Sequence, residues 1–467
     1  MFTRVCLTLA LLSALPGWPQ PTKNVTEGNT DTVHESSADE LPVVAKPRLL
    51  KKIAMPYEIP MLIPAPLIFT PYPPTILSES RSDYLRNYVR VDETITTAYT
   101  NNVPTSAEDT KRVDDTSFTI QPTIALDRTS SRLHWILNYR PGLTFYQRTG
   151  DLNNQQDQIL GTDFQYRLSP HITATLRDNF EKTSNALNQP DLVSGTPQPS
   201  PITVIAPVAD RLSNIADAEL TYQFLRDSMI GTKGTFTNLN YPNPAQVPGL
   251  SDFSSRGWRA FYSKRLEGKH YIGTIYDYSQ FLTYQAVPQS ESKTHTASLF
   301  YTFYAKPTLS FSLSGGPQHV DVVQSPSPAY SSWWPAATAS MEWQGLDTHI
   351  GARYVRTVTG VEGLFGAFDS NSATLLTSWR LTRSWNAEAG GAYAINKNVT
   401  AFLPLAGPGG HSISGRVSLQ HSFNLHFKAE LGYTHLHQSY SGIPAISQTP
   451  DTDRVSCSVT YQFARPL

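Results

Sequence analysis

Apolar and polar residues alternate one for one through most of the chain between Tyr84 and Phe463. Between Arg132 and Gln147, the set Leu133, Trp135, Leu137, Tyr139, Leu143 and Phe145 interleaves with His134, Asn138, Arg140 and Thr144. Leu160, Phe164, Tyr166 and Leu168 take turns with Gly161, Asp163, Gln165 and Arg167. Ile413, Val417, Leu419 and Phe423 do so with Ser414, Arg416, Ser418 and Gln420. In the last segment Val455, Cys457, Val459, Tyr461 and Phe463 oppose Ser456, Ser458, Thr460 and Gln462. Successive side chains of a strand point to opposite faces, so each segment predicts a strand with one apolar and one polar face.

The connections add what no single strand gives. Short turns are expected at 127–131, 168–170, 225–228, 266–269, 305–308, 344–347, 381–384 and 422–424. Longer polar stretches lie between them, at about 101–113, 148–157, 185–211, 241–254, 286–292, 320–332, 360–370, 397–410 and 438–451. Short and long connections alternate strictly. A transmembrane antiparallel up-and-down β-barrel does this, because one end carries tight turns and the other carries surface loops. The count predicts an all-β barrel of about 18 strands, or 16–20 if weak strands hide or split, with both termini at the short-turn end.

Soluble sandwiches and propellers also alternate, but their strands average about 5–6 residues. The segments here approach or exceed the ~9–11 residues that cross a bilayer in a barrel. Their apolar faces carry aromatics near strand ends, among them Trp135, Tyr139, Tyr276, Tyr278, Tyr301, Trp343, Trp379, Trp385 and Tyr433, in keeping with aromatic girdles at the two interfaces.

Composition narrows the picture. Of 467 residues 16% are charged, and the net charge of −1 offers nothing to a nucleic-acid backbone. Only Cys6 and Cys457 occur, which excludes a disulfide framework or a Cys-based zinc site in the mature chain. Residues 1–20, with Arg4 ahead of the apolar run Val5–Leu15, read as an export signal. Residues 21–80 begin polar and then carry proline every few positions. Proline removes amide donors and favours extended backbone, so this stretch reads as a periplasmic extension, loosely held or docked through its apolar residues. The barrel is expected over 81–467.

The strand and loop pattern from Tyr84 onward, closing on TYQF, resembles porin-like outer-membrane β-barrels of Gram-negative bacteria. The resemblance implies an outer-membrane location and contact with outer-membrane lipid. It also implies that Tyr461 and Phe463 form a terminal signal read by the barrel-assembly machinery. The chain departs from that signal at Ser458, where glycine is usual, and in continuing through Ala464–Leu467.

If the apolar face meets lipid, the polar face lines the lumen. Its expected charged residues are Arg140, Arg167, Arg177, Lys233, Arg259, Arg353, Arg380, Arg416 and Lys428, with Asp163, Asp217, Glu219, Asp277, Glu342, Glu388 and Glu430. Mixed signs predict modest ion preference in an open pore, or cross-strand pairs in a filled one. The proline-rich 185–211 loop is one candidate for narrowing the pore, against an ordinary surface role. His435 and His437 fall by parity on the outer face, and the Asp451–Asp453 segment reads as solvated loop. No metal site, cofactor or catalytic motif is expected. The first functional expectation is a channel for small hydrophilic solutes. The second, prompted by the proline-rich extension, is a component of an export or surface-assembly system, with a periplasmic partner for residues 21–80. An adhesin or a barrel enzyme ranks below both, and oligomeric state is not legible.

Overall fold

The computed structural model describes residues 87–466 apart from 105–111, 151–153, 186–207, 244–248, 285–288, 325–327, 400–408, 441–442 and 444–450. The expected export signal, the proline-rich extension and most of the 185–211 loop lie outside the described residues.

Alternation does what it predicts: the described chain is a succession of eighteen strands. They are β1 (Tyr88–Pro104), β2 (Arg112–Thr129), β3 (Leu133–Tyr146), β4 (Gln155–Ser169), β5 (Ile172–Asn185), β6 (Val208–Leu225), β7 (Ser228–Asn240), β8 (Asp252–Glu267) and β9 (His270–Tyr284). The second half comprises β10 (Gln289–Lys306), β11 (Leu309–Gln324), β12 (Tyr330–Gln344), β13 (Thr348–Gly360), β14 (Ala367–Arg380), β15 (Trp385–Asn398), β16 (Gly410–Ser422), β17 (Phe427–Tyr440) and β18 (Asp451–Pro466). Each strand pairs antiparallel with the next, and β1 pairs with β18 from Tyr88↔Pro466 to Thr100↔Arg454, so the sheet closes on itself. Hydroxyl pairs Thr94–Thr460 (3.0 Å) and Thr96–Ser458 (2.8 Å) line this closing seam. The fold is an 18-stranded antiparallel up-and-down β-barrel.

The outer face carries an apolar band. On β18 it runs from Phe463 to Val455, and on β17 from Phe427 to Tyr433. Both strands turn polar at one register position, where His435 faces Asp453. Eight steps of strand cover about 26 Å at ~3.3 Å per residue. Tilted by ~40°, they give about 20 Å of height, near the ~25 Å band of outer-membrane barrels. Trp343, Trp379 and Trp385 stand outward at the short-turn end, and Tyr276, Tyr354, Tyr393 and Tyr433 toward the loop end.

Strands of 13–18 residues exceed what the band needs and continue past it. This shifts several expected boundaries. The 286–292 connection shrinks to residues 285–288, and 320–332 shrinks to the five residues between Gln324 and Tyr330. Asp451 and Asp453 open β18 instead of lying in a loop, and they bond His437 (2.8 Å) and His435 (2.9 Å) on the outer face. Polar outward residues above the band imitate loop composition, which is why the sequence places these ends too early.

The band makes a depth-dependent prediction. Leu431→Arg, at mid-band on β17, is expected to cost about 2–4 kcal/mol of folding stability, and His437→Arg, above the band, about 0–1 kcal/mol. Equilibrium unfolding from lipid vesicles reads both, and equal costs would contradict the assigned band.

Candidate functional site

Parity sends the other face of every strand inward, and there the charges assemble across strands. Register sets Asp163 opposite Arg177, Arg177 opposite Asp217, Glu219 opposite Lys233, Lys233 opposite Arg259 and Arg259 opposite Asp277. The result is one belt over β4–β9. Arg177 Nε donates to Asp163 at 3.2 Å, and Lys233 Nζ lies 3.2 Å from Asp217 Oδ2, with Arg177 Nη1 at 3.9 Å from the same oxygen. Arg259 pairs with Asp277. Lys233 is 3% exposed and Asp217 is buried with it. Charges so far from water persist only when paired.

The remaining charged residues of the sequence reading scatter. Arg416 and Glu430 pair at 2.6 Å on β16 and β17. Glu342 meets His349 at 3.4 Å. Arg380 joins Asp347 at 2.7 Å on the short-turn rim, where both are about half exposed, rather than another member of the set. Arg140, Arg167, Arg353, Glu388 and Lys428 share the inward face at other positions. Tyr461 and Phe463 point outward near the end of β18, the Tyr461 ring 5.0 Å from Phe427.

The sequence reading treats 360–370 as one more polar loop, and the structure corrects this. The upper part of the β13–β14 hairpin folds into the barrel. Pairing between β12 and β13 stops at Ala337↔Arg356, although β12 continues to Tyr330 and β13 to Gly360. Beyond that point β13 lies over the inner face of β12. There the side-chain amide of Gln318 on β11 takes the place of a strand partner: Nε2 donates to Val358 O at 2.9 Å, and Val358 N donates to Oε1 at 2.7 Å. The tip, residues 361–366, reaches the stretch of wall at β6–β9. Ser251 N donates to Gly363 O (3.0 Å), Gly366 N to Thr283 Oγ1 (3.3 Å), and Arg211 pairs with Glu362 (3.6 Å).

Glycine makes this geometry attainable. Gly363 and Gly366 have φ of 89° and 106°, a region costly for other residues. At Gly360 a Cβ would stand 2.3 Å from the Phe253 ring and 2.8 Å from Phe281.

Burial supplies the driving force. Val361 and Leu364 are fully buried and Phe365 nearly so. Each such large apolar side chain contributes roughly 1.5–3 kcal/mol on burial. Val361 and Leu364 join an apolar cluster with Leu239, Phe253, Phe281, Val320, Val322, Phe368 and Tyr440. Leu239 on β7 and Tyr440 on β17 stand nearly opposite one another around the ring, so the cluster crosses the lumen at the loop end. Tyr241, just beyond β7 and outside the membrane-spanning strands, has its phenol pushed up to about 12 by burial and stays neutral.

On the opposite arc the loop-end lining is polar. Asp115 accepts from Thr149 Oγ1 (2.6 Å) and from the Arg148 amide (3.0 Å), and Asp157 accepts from Thr183 Oγ1 (2.8 Å). The lumen therefore has an apolar bridge over β7–β17 and a polar side along β2–β6. The signal for the bridge was present in the sequence: Val361, Leu364 and Phe365, set among Gly360, Gly363 and Gly366, are out of character for a solvated loop. Among the described residues no group of three or more His, Cys, Asp or Glu comes together to hold a metal.

A closed sheet with an apolar, aromatic-edged band outside and a charged, hydroxyl-rich wall inside defines the class: an outer-membrane-type β-barrel. No protein-family model matches the chain, and no curated protein matches it in sequence. Solved structures similar to it are outer-membrane porins and receptors. Pseudomonas aeruginosa OpdK with vanillate matches with 10% identity and a TM-score of 0.39, over 81% of this chain and 99% of that one. Acinetobacter baumannii OccAB4 gives 10% identity and a TM-score of 0.37, over 82% and 100%. The ferric citrate transporter FecA gives 11% and 0.40, over 76% of this chain, which spans 60% of FecA.

Proposed function

We propose that the protein is an outer-membrane channel for small hydrophilic solutes, narrowed at its loop end by the β13–β14 tip. The observation that carries this reading is the charged belt from Asp163 to Asp277 on the inner wall. A barrel of this strand number is wide enough to leave an aqueous lumen, and a wall of paired charges and hydroxyls solvates passing polar solutes. The polar arc of β2–β6, beside the apolar bridge, is the path. The belt interleaves both signs, so the channel discriminates by size and hydrogen bonding more than by charge.

Planar-bilayer recording tests the proposal. The refolded protein is expected to give discrete conductance steps, with a reversal potential near zero in a potassium chloride gradient. Folded protein, verified by heat-modifiable gel mobility, that inserts without any step would overturn it.

A further inference from the structure

The departure of β13 from β12 leaves a seam in the wall. No residue of β13 pairs with Tyr330–Ala336 of β12. The seam opens just above Ala337, so it starts at the top of the apolar band. Pro335 sits on this edge, has no amide hydrogen to offer, and suits an edge strand. The two faces of the edge differ. Trp333 points outward and is 68% exposed. Trp334 points inward and packs with Tyr330 against the apolar cluster, and its indole Nε1 is buried with no acceptor among the described residues. Just behind the seam, which begins at the top of the band, the lining is apolar.

One charge stands at the mouth. Arg356, the last residue of β13 to pair with β12, holds Asp369 through Nε (3.4 Å) and Nη2 (3.2 Å). The side chain of Arg356 is 37% exposed and that of Asp369 10%. Among the described residues Arg356 is bonded through Nε and Nη2 alone.

From this juxtaposition we infer that the β12–β13 seam is a lateral portal. It admits the chain of a single-chain amphipath with an anionic head from the adjacent leaflet to the apolar cluster. The chain crosses the unpaired edge of β12, from Trp333 on the outer face to Trp334 on the inner, and reaches toward Val320, Val358 and Phe253. The head stays at the surface against Arg356, where a charge-assisted hydrogen bond holds it. The idea does not depend on conduction of hydrophilic solutes, because it uses the wall and not the axis.

Photo-crosslinking tests it. Trp334 is replaced by p-benzoylphenylalanine, a similarly large aromatic residue, with Tyr330 as a second inward position. Leu299 provides a lipid-facing control, and Asn138 on β3 an inward control on the polar arc. The full chain is folded into phosphatidylcholine vesicles, checked by heat-modifiable mobility, and irradiated with radiolabelled palmitate. Adducts at 334 or 330 and at 299, but not at 138, are expected, with the yield at 334 falling about fivefold in an Arg356→Gln background. Labelling at 299 alone would overturn the portal. Labelling at 138 as strongly as at 334 would also overturn it, since the chain would then have come down the lumen.

Discussion

The triple variant Val361→Ser/Leu364→Ser/Phe365→Ser is expected to conduct about threefold more current per channel than the parent, with folding retained. Each replacement removes a buried apolar side chain, and losses of this kind run to about 2–5 kcal/mol apiece. Their sum exceeds what the Arg211–Glu362 pair and the tip hydrogen bonds return, so the tip leaves the lumen. The strand ladders below Arg356 and Asn371 are untouched, and the barrel remains closed. Glu362→Gln serves as the contrast. It removes the ion pair while leaving the apolar anchors, and conductance is expected to stay near the parent value. Single-channel recording of the three proteins decides the matter. Equal conductance in the triple variant and the parent would mean that the tip does not narrow the path, whatever else it does.

Asp217→Ala is expected to destabilise the barrel by about 3 kcal/mol, the low end of the range for removing one partner of a buried ion pair. Asp217 lies between Arg177 and Lys233, and without it two cations share a wall largely out of reach of water. Glu219, opposite Lys233 in register, compensates in part, which sets the value at the low end. The double variant Asp217→Leu/Lys233→Met removes both charges while keeping volume, and should recover most of the loss. Urea unfolding from lipid vesicles measures both. A cost below about 1 kcal/mol for Asp217→Ala would show the pair to be water-screened, as surface pairs are.

The strand number was legible because it follows from parity and the spacing of turns, which are local. Arg177 and Asp217 are forty residues apart, yet alternation alone sends both inward. Their pairing was not legible, since it depends on the register of β5 against β6, which hydrogen bonding sets. The in-folded tip was missed for a different reason. Three glycines at every third position, with Glu362, Asp369 and Ser370, read as a turn-rich loop, although Val361, Leu364, Phe365, Ala367 and Phe368 speak against a solvated one. Their destination, the wall built by β7–β9, is about a hundred residues away in sequence. Arg380 shows the limit of parity in the other direction: it has the inward phase but sits so near the turn that Asp347 holds it at the rim.

The β1–β18 ladder constrains how the molecule comes into being. A ribosome delivers β1 first and its second neighbour last, so every hydrogen-bonding group on that side of β1 stays unmatched until the whole chain has been released. A product truncated before Asp451 would expose two bare edges at once, on β1 and on β17, each inviting other chains to add. Completion of synthesis is thus a condition for a sealed wall, and the last sixteen residues of β18 decide whether the preceding seventeen strands form a vessel or an open sheet.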